Sequence, residues 1–204
     1  MSICNVAITP TKILVAVDTA IAGCRIGDIP TTGHMQKAVI VGDTVIASRG
    51  GLSNLYFAAF QAMSIQTYLD VDVLASALPT LMQQAHVQTL HERAKVGGTV
   101  SSHAEGCEIT IAGWSLQTGQ PRALVATMTP DGRCYVETIH STAAGPDFPG
   151  ASTADLSTPL AMLAAAREQV EAFAMVDPEA PIGGELVLYE VMQGGIIMRK
   201  LGVI

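Results

Sequence analysis

Residue 2 combines two chemical functions once the initiator Met1 is gone. Ser2 would then carry a hydroxyl and a free α-amine on one residue. A hydroxyl attacks a carbonyl only when a base takes its proton. An α-amine is partly neutral at physiological pH, so it can accept that proton. Removal of Met1 is part of the expectation. The other reactive side chains are less well arranged. His86 and His91 are five apart, off a common helical face, and His34, His103 and His140 are scattered. Cys4, Cys24, Cys107 and Cys134 form no CxxC pair and read as reduced, mostly buried thiols. No metal and no cofactor is expected.

Composition limits the partners. The 204 residues are 49% hydrophobic and 14% charged, enough apolar material for a large core. The net charge of -7, with no Lys/Arg cluster, argues against a nucleic-acid surface. No apolar run reaches membrane-spanning length. The start lacks the basic flank and apolar stretch of a signal peptide, so a cytoplasmic setting is expected.

Around Ser2 the chain must build a scaffold. Residues 2–9 and 13–18 read as two strands joined at Pro10-Thr11-Lys12. Residues 22–33, punctuated by Gly23, Gly27, Pro30 and Gly33, read as a loop. Gly42-Asp43 signals a tight hairpin between residues 37–41 and 44–47. From Leu52 the apolar spacing turns helical, through about Leu69. A second helix over 73–94 is capped by Asp70 or Asp72, with Pro79 in its first two turns shifting its start. A three-strand meander follows over 107–114, 123–127 and 134–138. Residues 141–153 read as a small-residue loop, 158–175 as an amphipathic helix, and 185–191 with 196–200 as a last hairpin. The nearly continuous apolar strands need a partner layer on both faces. The expected class is α+β: a four-layer αββα sandwich of two stacked antiparallel sheets flanked by helices. With no repeat or linker, residues 1–204 read as one domain.

This order of elements and several local motifs resemble one family, the proteasome β-type subunits and their bacterial relatives among the N-terminal-nucleophile (Ntn) hydrolases. The resemblance spans essentially the whole chain. Family members begin with a nucleophilic Thr and carry an Asp sixteen positions later, in a segment like V-x-A-x-D-x-x-A-T-x-G. Ser2 and Asp18 have that spacing, and the segment from Leu14 to Gly23 reads L-V-A-V-D-T-A-I-A-G. The stretch from Lys37 to Asp43 looks like the family's lysine-led strand and acidic turn. The stretch from Val45 to Gly51 looks like its I-A-G segment, with Ser48 where glycine usually stands. Asp131-Gly132 is similar to a D-P-x-G turn, and Asp177 with Gly183-Gly184 to D-x-x-S-G-G.

The resemblance implies roles. Ser2 Oγ would attack a carbonyl and the Ser2 amine would relay the proton. Lys37, by its charge, would lower the pKa of both, and Asp18 would hold Lys37 charged. The backbone N–H of Ser48 would sit in an oxyanion hole. Asp177 joins these as a site residue, and Ala20 and Arg49 would line the substrate pocket, Arg49 favouring carboxylate-bearing groups. The implied activity is amide-bond hydrolysis on a peptide or protein, in a homo-oligomer built as a ring or larger assembly, with an unfoldase as candidate partner. Departures exist. The Asp18-to-Lys37 segment is longer than usual. Ala143-Ala144-Gly145 lacks the hydroxyl of the family's G-S-G, and the helix usual after it is reduced to a loop. Ile182 stands where a serine is expected. They favour an alternative, a catalytically silent member of the fold with a structural or assembly role. A small-molecule amidase is a third reading.

Overall fold

The structure is a computed structural model. It describes all residues except 1, 27–28, 66–69, 96–106, 130, 149–153 and 178–181, and gives backbone alone for 22–26, 29–32, 52–53, 65 and 93. Met1, whose removal is expected above, lies outside the described residues, as do the Cys24 side chain and His103.

Two five-stranded antiparallel sheets dominate. The first has the order β10-β1-β2-β11-β12, built from β1 (Cys4–Ile8), β2 (Ile13–Asp18), β10 (Thr142–Gly145), β11 (Glu185–Met192) and β12 (Gly195–Val203). The second runs β5-β6-β7-β8-β9, built from β5 (Ala38–Val41), β6 (Thr44–Gly50), β7 (Cys107–Trp114), β8 (Pro121–Met128) and β9 (Cys134–Ile139). Among the described residues three helices accompany them: α1 (Leu52–Ile65), α2 (Val71–Lys95) and α3 (Pro159–Val176).

Strand alternation divides the apolar residues among three cores. Val15 and Val17 of β2 join Val187 and Tyr189 of β11 with Val45, Ala47 and Ala112 of the second sheet. Their alternates Leu14, Ala16, Leu186 and Leu188 pack with Met162, Ala165 and Ala166 of α3. Ile46, Ile109 and Ile111 of the second sheet meet Leu55 and Ala62 of α1 and Leu74, Leu78 and Met82 of α2. Strand β2 is therefore buried on both faces. This matches its unbroken apolar run.

Three local expectations are corrected. Residues 22–33 are not a plain loop. Residues 22–26 and 29–33 belong to β3 (Ala20–Ile26) and β4 (Ile29–His34), a two-stranded antiparallel pair with a register irregularity between Ala22 and Arg25. The four-residue strand β10 lies within the expected 141–153 loop, because β1 has an open edge opposite β2 and pairs there, Cys4 facing Gly145. Pro79 does not set the start of α2. Asp70 does: its Oδ1 accepts the Val73 N–H at 2.9 Å and its carbonyl the Leu74 N–H at 3.2 Å. Pro79 is exposed on the water side, while Leu74, Leu78 and Leu81 hold the helix against the sheet.

Candidate active site

The end of β2 and the segment leading into β5 bring the first charged pair together. Asp18 closes β2 and is fully buried; Lys37, just before β5, is almost so. Lys37 Nζ lies 2.9 Å from Asp18 Oδ1 and 3.0 Å from Oδ2. Asp18 also accepts the Ile3 N–H at 2.8 Å and the Gly183 N–H at 3.1 Å. One carboxylate thus ties together the chain start, Lys37 and the Gly183-Gly184 turn. Burial pushes the Asp18 carboxyl above its usual value and Lys37 below its own, with their mutual attraction opposing both shifts. A lysine lowered in this way gives up its proton more readily than one in water.

Ser2 precedes Ile3 directly and is itself buried, at 6% exposure. The Ile3–Asp18 bond therefore anchors the residue next to Ser2 onto the carboxylate that holds Lys37. Ser2, just before β1, and Asp18, closing β2, lie at one end of the first sheet, and Lys37, entering β5 of the second sheet, meets Asp18 there.

The Gly183-Gly184 turn makes this packing feasible. Gly184 has φ +83°, and a Cβ there would stand 2.7 Å from Thr19 Oγ1 and 2.9 Å from the His34 ring. Thr19 Oγ1 accepts the Glu185 N–H at 3.0 Å and lies 3.2 Å from His34 Nδ1. Ala20 is buried; its N–H reaches the Gly183 carbonyl at 3.0 Å. A cavity of about 270 Å³ opens on the β11–β12 side of Lys37, with walls that include Thr19, His34, Gln36 and Tyr189. Neither Thr19 nor His34 stands out in the sequence. Only the D-T-A segment and the glycine pair carry a signal for this corner.

Ser48 and Arg49 are placed differently from expectation. The Ser48 N–H is already committed: it donates to the Lys37 carbonyl at 2.8 Å, continuing the β5–β6 ladder. A free oxyanion donor at Ser48 is therefore corrected to a sheet bond that fixes the backbone of Lys37. The Arg49 guanidinium has an internal carboxylate. Its Nε donates to Glu108 Oε2 at 2.9 Å and its NH2 to Oε1 at 2.6 Å, the two residues being paired across β6 and β7. The guanidinium also covers Gly145, where a Cβ would come within 2.9 Å of it. Asp177 ends α3 in an exposed position, its N–H bonded to the Phe173 carbonyl at 2.8 Å, in contrast to the buried Ser2, Asp18 and Lys37.

No protein-family model matches the chain. No curated protein matches it either. Among solved structures it is similar to Anbu (ancestral beta-subunit) from Yersinia bercovieri, with a TM-score of 0.62 over 98% of this chain and 86% of that one. The fold is proteasome-β-like. At 13% identity the likeness concerns the fold alone. Within a proteasome-β-like fold, Asp18 and Lys37 occupy a strand end and the entry to a strand of the facing sheet, and meet in the interior. Among the described residues, no helix is long and apolar enough to cross a membrane.

Proposed function

We propose that the chain is an N-terminal-nucleophile amide-bond hydrolase, a proteasome-like peptidase in which Ser2 becomes the nucleophile once Met1 is removed. The observation that carries this reading is the buried Lys37–Asp18 pair joined by the Ile3 N–H to the residue after Ser2. In this reading the Ser2 amine takes the hydroxyl proton as Oγ attacks a carbonyl carbon. It then delivers the proton to the leaving amine. Lys37 stabilises the charge that develops on oxygen, and Asp18 positions Lys37. Asp177 is kept as a candidate site residue, Ala20 as part of the substrate pocket, and Arg49 as a wall of it through its pair with Glu108. The substrate is a peptide or protein, acted on in a cytoplasmic homo-oligomeric assembly, with an unfoldase as candidate partner. The three cores described above support a four-layer αββα sandwich forming one domain over residues 1–204.

A second reading is favoured by one observation. The Ser48 amide is occupied by Lys37, and a bonded amide stabilises an oxyanion poorly. A catalytically silent protein with a structural or assembly role would need no free donor there. Two measurements separate the readings. Intact mass should show loss of the initiator methionine. A peptide epoxyketone, which needs both hydroxyl and amine, should then form a covalent adduct that Ser2→Ala abolishes. Processed protein that forms no adduct, or an adduct that survives Ser2→Ala, removes the catalytic reading and leaves the silent one.

A further inference from the structure

The buried core between the two sheets is built from Val, Ile and Ala, with Cys4 and one phenol, Tyr189, which is fully buried. Phenylalanine would fill the same space without the cost of burying a hydroxyl. That hydroxyl has two partners, and they flank Lys37. It donates to the Ala38 carbonyl at 3.2 Å and accepts from Gln36 Nε2 at 3.0 Å. A carbonyl can only accept, so the direction of both bonds is fixed. Burial pushes the phenol above its usual value, which keeps the donated hydrogen in place. The bond to Ala38 answers a need of the strand. The Ser48 N–H donates to the Lys37 carbonyl at 2.8 Å, so by alternation the Ala38 carbonyl points away from β6. Strand β5 ends its sheet, and Tyr189 reaches across from the first sheet to that open edge. The Gln36 carbonyl is held too, by the Tyr56 hydroxyl of α1 at 3.2 Å. Three successive carbonyls, those of residues 36 to 38, are thus held by α1, β6 and β11.

From these bonds we infer that Tyr189 is a positioning residue for Lys37, fixing the backbone on both sides of that lysine against the first sheet. The need arises from the topology. Ser2 stands just before β1 of the first sheet, whereas Lys37 enters β5 of the second. The nucleophile and its cation are therefore carried by different sheets, and a small slip between the sheets changes their separation. Asp18 ties the Lys37 ammonium to β2. Tyr189, on the neighbouring β11, ties the backbone beside Lys37 to the same sheet. A side chain as long as lysine can keep its carboxylate partner while its backbone moves, and the Tyr189 bonds remove that freedom. Misplacing a catalytic group by about 1 Å can cost roughly 100-fold in rate. This role rests on the proposed function, in which Ser2 is the nucleophile and Lys37 its cation.

Tyr189→Phe keeps the ring and removes the hydroxyl. Labelling of the full chain by a peptide epoxyketone yields two constants, KI for binding and kinact for bond formation. Tyr189→Phe should lower kinact roughly tenfold and leave KI within about twofold of the wild type. Gln36→Leu, at an exposed position, removes one of the two bonds and should lower kinact by a smaller factor. Val191→Ala takes volume from the same core but no hydrogen bond. It should lower urea stability and leave kinact as in the wild type. NMR of the lysine ε-CH2 groups, assigned with Lys37→Met, reads the site without any reaction. Tyr189→Phe should displace the Lys37 signal and Val191→Ala should not. Wild-type kinact in Tyr189→Phe, a loss carried by KI, or an equal loss in Val191→Ala would each overturn the inference. If Tyr189→Phe does not fold, a wild-type kinact in Gln36→Leu overturns it. A wild type that forms no adduct removes the Ser2 reading instead. The Lys37 signal then decides alone: displacement in Tyr189→Phe supports the positioning role, and an unmoved signal overturns it.

Discussion

Asp18 and Lys37 form a pair with few alternatives. Both are buried, and the carboxylate accepts from three donors, Lys37 Nζ and the Ile3 and Gly183 N–H groups. Removing one partner leaves an uncompensated group inside the protein. Asp18→Asn or Lys37→Met alone should therefore lower unfolding stability by about 3–5 kcal/mol, as read from urea denaturation. The double variant should lose much less than the sum, because two neutral groups of similar volume carry no stranded charge. Additive losses would mean that the two residues act separately. The thiols offer a test of a different kind. Burial, opposed only in part by a contact with Thr110, pushes Cys4 up to about 11. Burial also raises Cys107 to about 11. A folded-state pKa raised above the unfolded one means that the folded chain holds the proton longer. The stability each thiol contributes is present below pH 9 and is lost as pH rises through 11. Between those two values stability should fall by on the order of 2 kcal/mol per thiol, and Cys4→Ala should remove one share of the slope. At pH 8 neither thiol should react with iodoacetamide until the chain unfolds.

At the scale of elements, α3 is locked to the first sheet by a reciprocal amide pair. Asn5 Nδ2 donates to Gln169 Oε1 at 2.7 Å, and Gln169 Nε2 to Asn5 Oδ1 at 3.1 Å and to the Pro146 carbonyl at 3.0 Å. The Gly145 N–H completes it on Asn5 Oδ1 at 3.2 Å. Asn5 and Gln169 are fully buried between β1, β10 and α3. Gln169→Leu should strand the Asn5 amide and cost about 1–3 kcal/mol in thermal or urea unfolding. The companion Asn5→Leu should add little on top of it. No sequence pattern reveals this pair, since its members are 164 positions apart and each is an ordinary polar residue. The long strands and α3 were legible because alternation and helical spacing of apolar residues are local. Gly42-Asp43 and the last glycine pair fixed two hairpins for the same reason. Strand β10 was not legible, because Thr-Ala-Ala-Gly has no alternation to read and pairs only because β1 offers an edge. The β3–β4 ribbon was hidden by Gly and Pro that normally mark loops. At the site, the Asp18–Lys37 meeting was implied by the family resemblance alone. The commitments of Ser48 to Lys37 and of Arg49 to Glu108 are tertiary and left no trace along the chain.

Across the whole molecule, the chain start is held as firmly as the middle. The Ile3 side chain is fully buried in the core shared with α3, and its N–H is bonded to a buried carboxylate. Terminal residues usually fray and exchange their amide protons quickly. The Ile3 amide should instead exchange at rates close to those of β2, and Asp18→Asn should bring it back toward the rates of an open end. Hydrogen–deuterium exchange read at residue resolution by NMR measures both. An Ile3 amide that exchanges at once in the wild type would show that the Asp18 bond is not held in solution.

Strand order also sets a clock. One neighbour of β1 is β2, complete by residue 18, but the other is β10, which ends at residue 145. During translation the second flank of β1 stays open until most of the polypeptide has left the ribosome. The burial of Ser2 is thus a late event in the life of the nascent chain. An enzyme acting on the emerging polypeptide meets β1 paired with β2 alone, whereas one that arrives after release meets a Ser2 already buried in the protein.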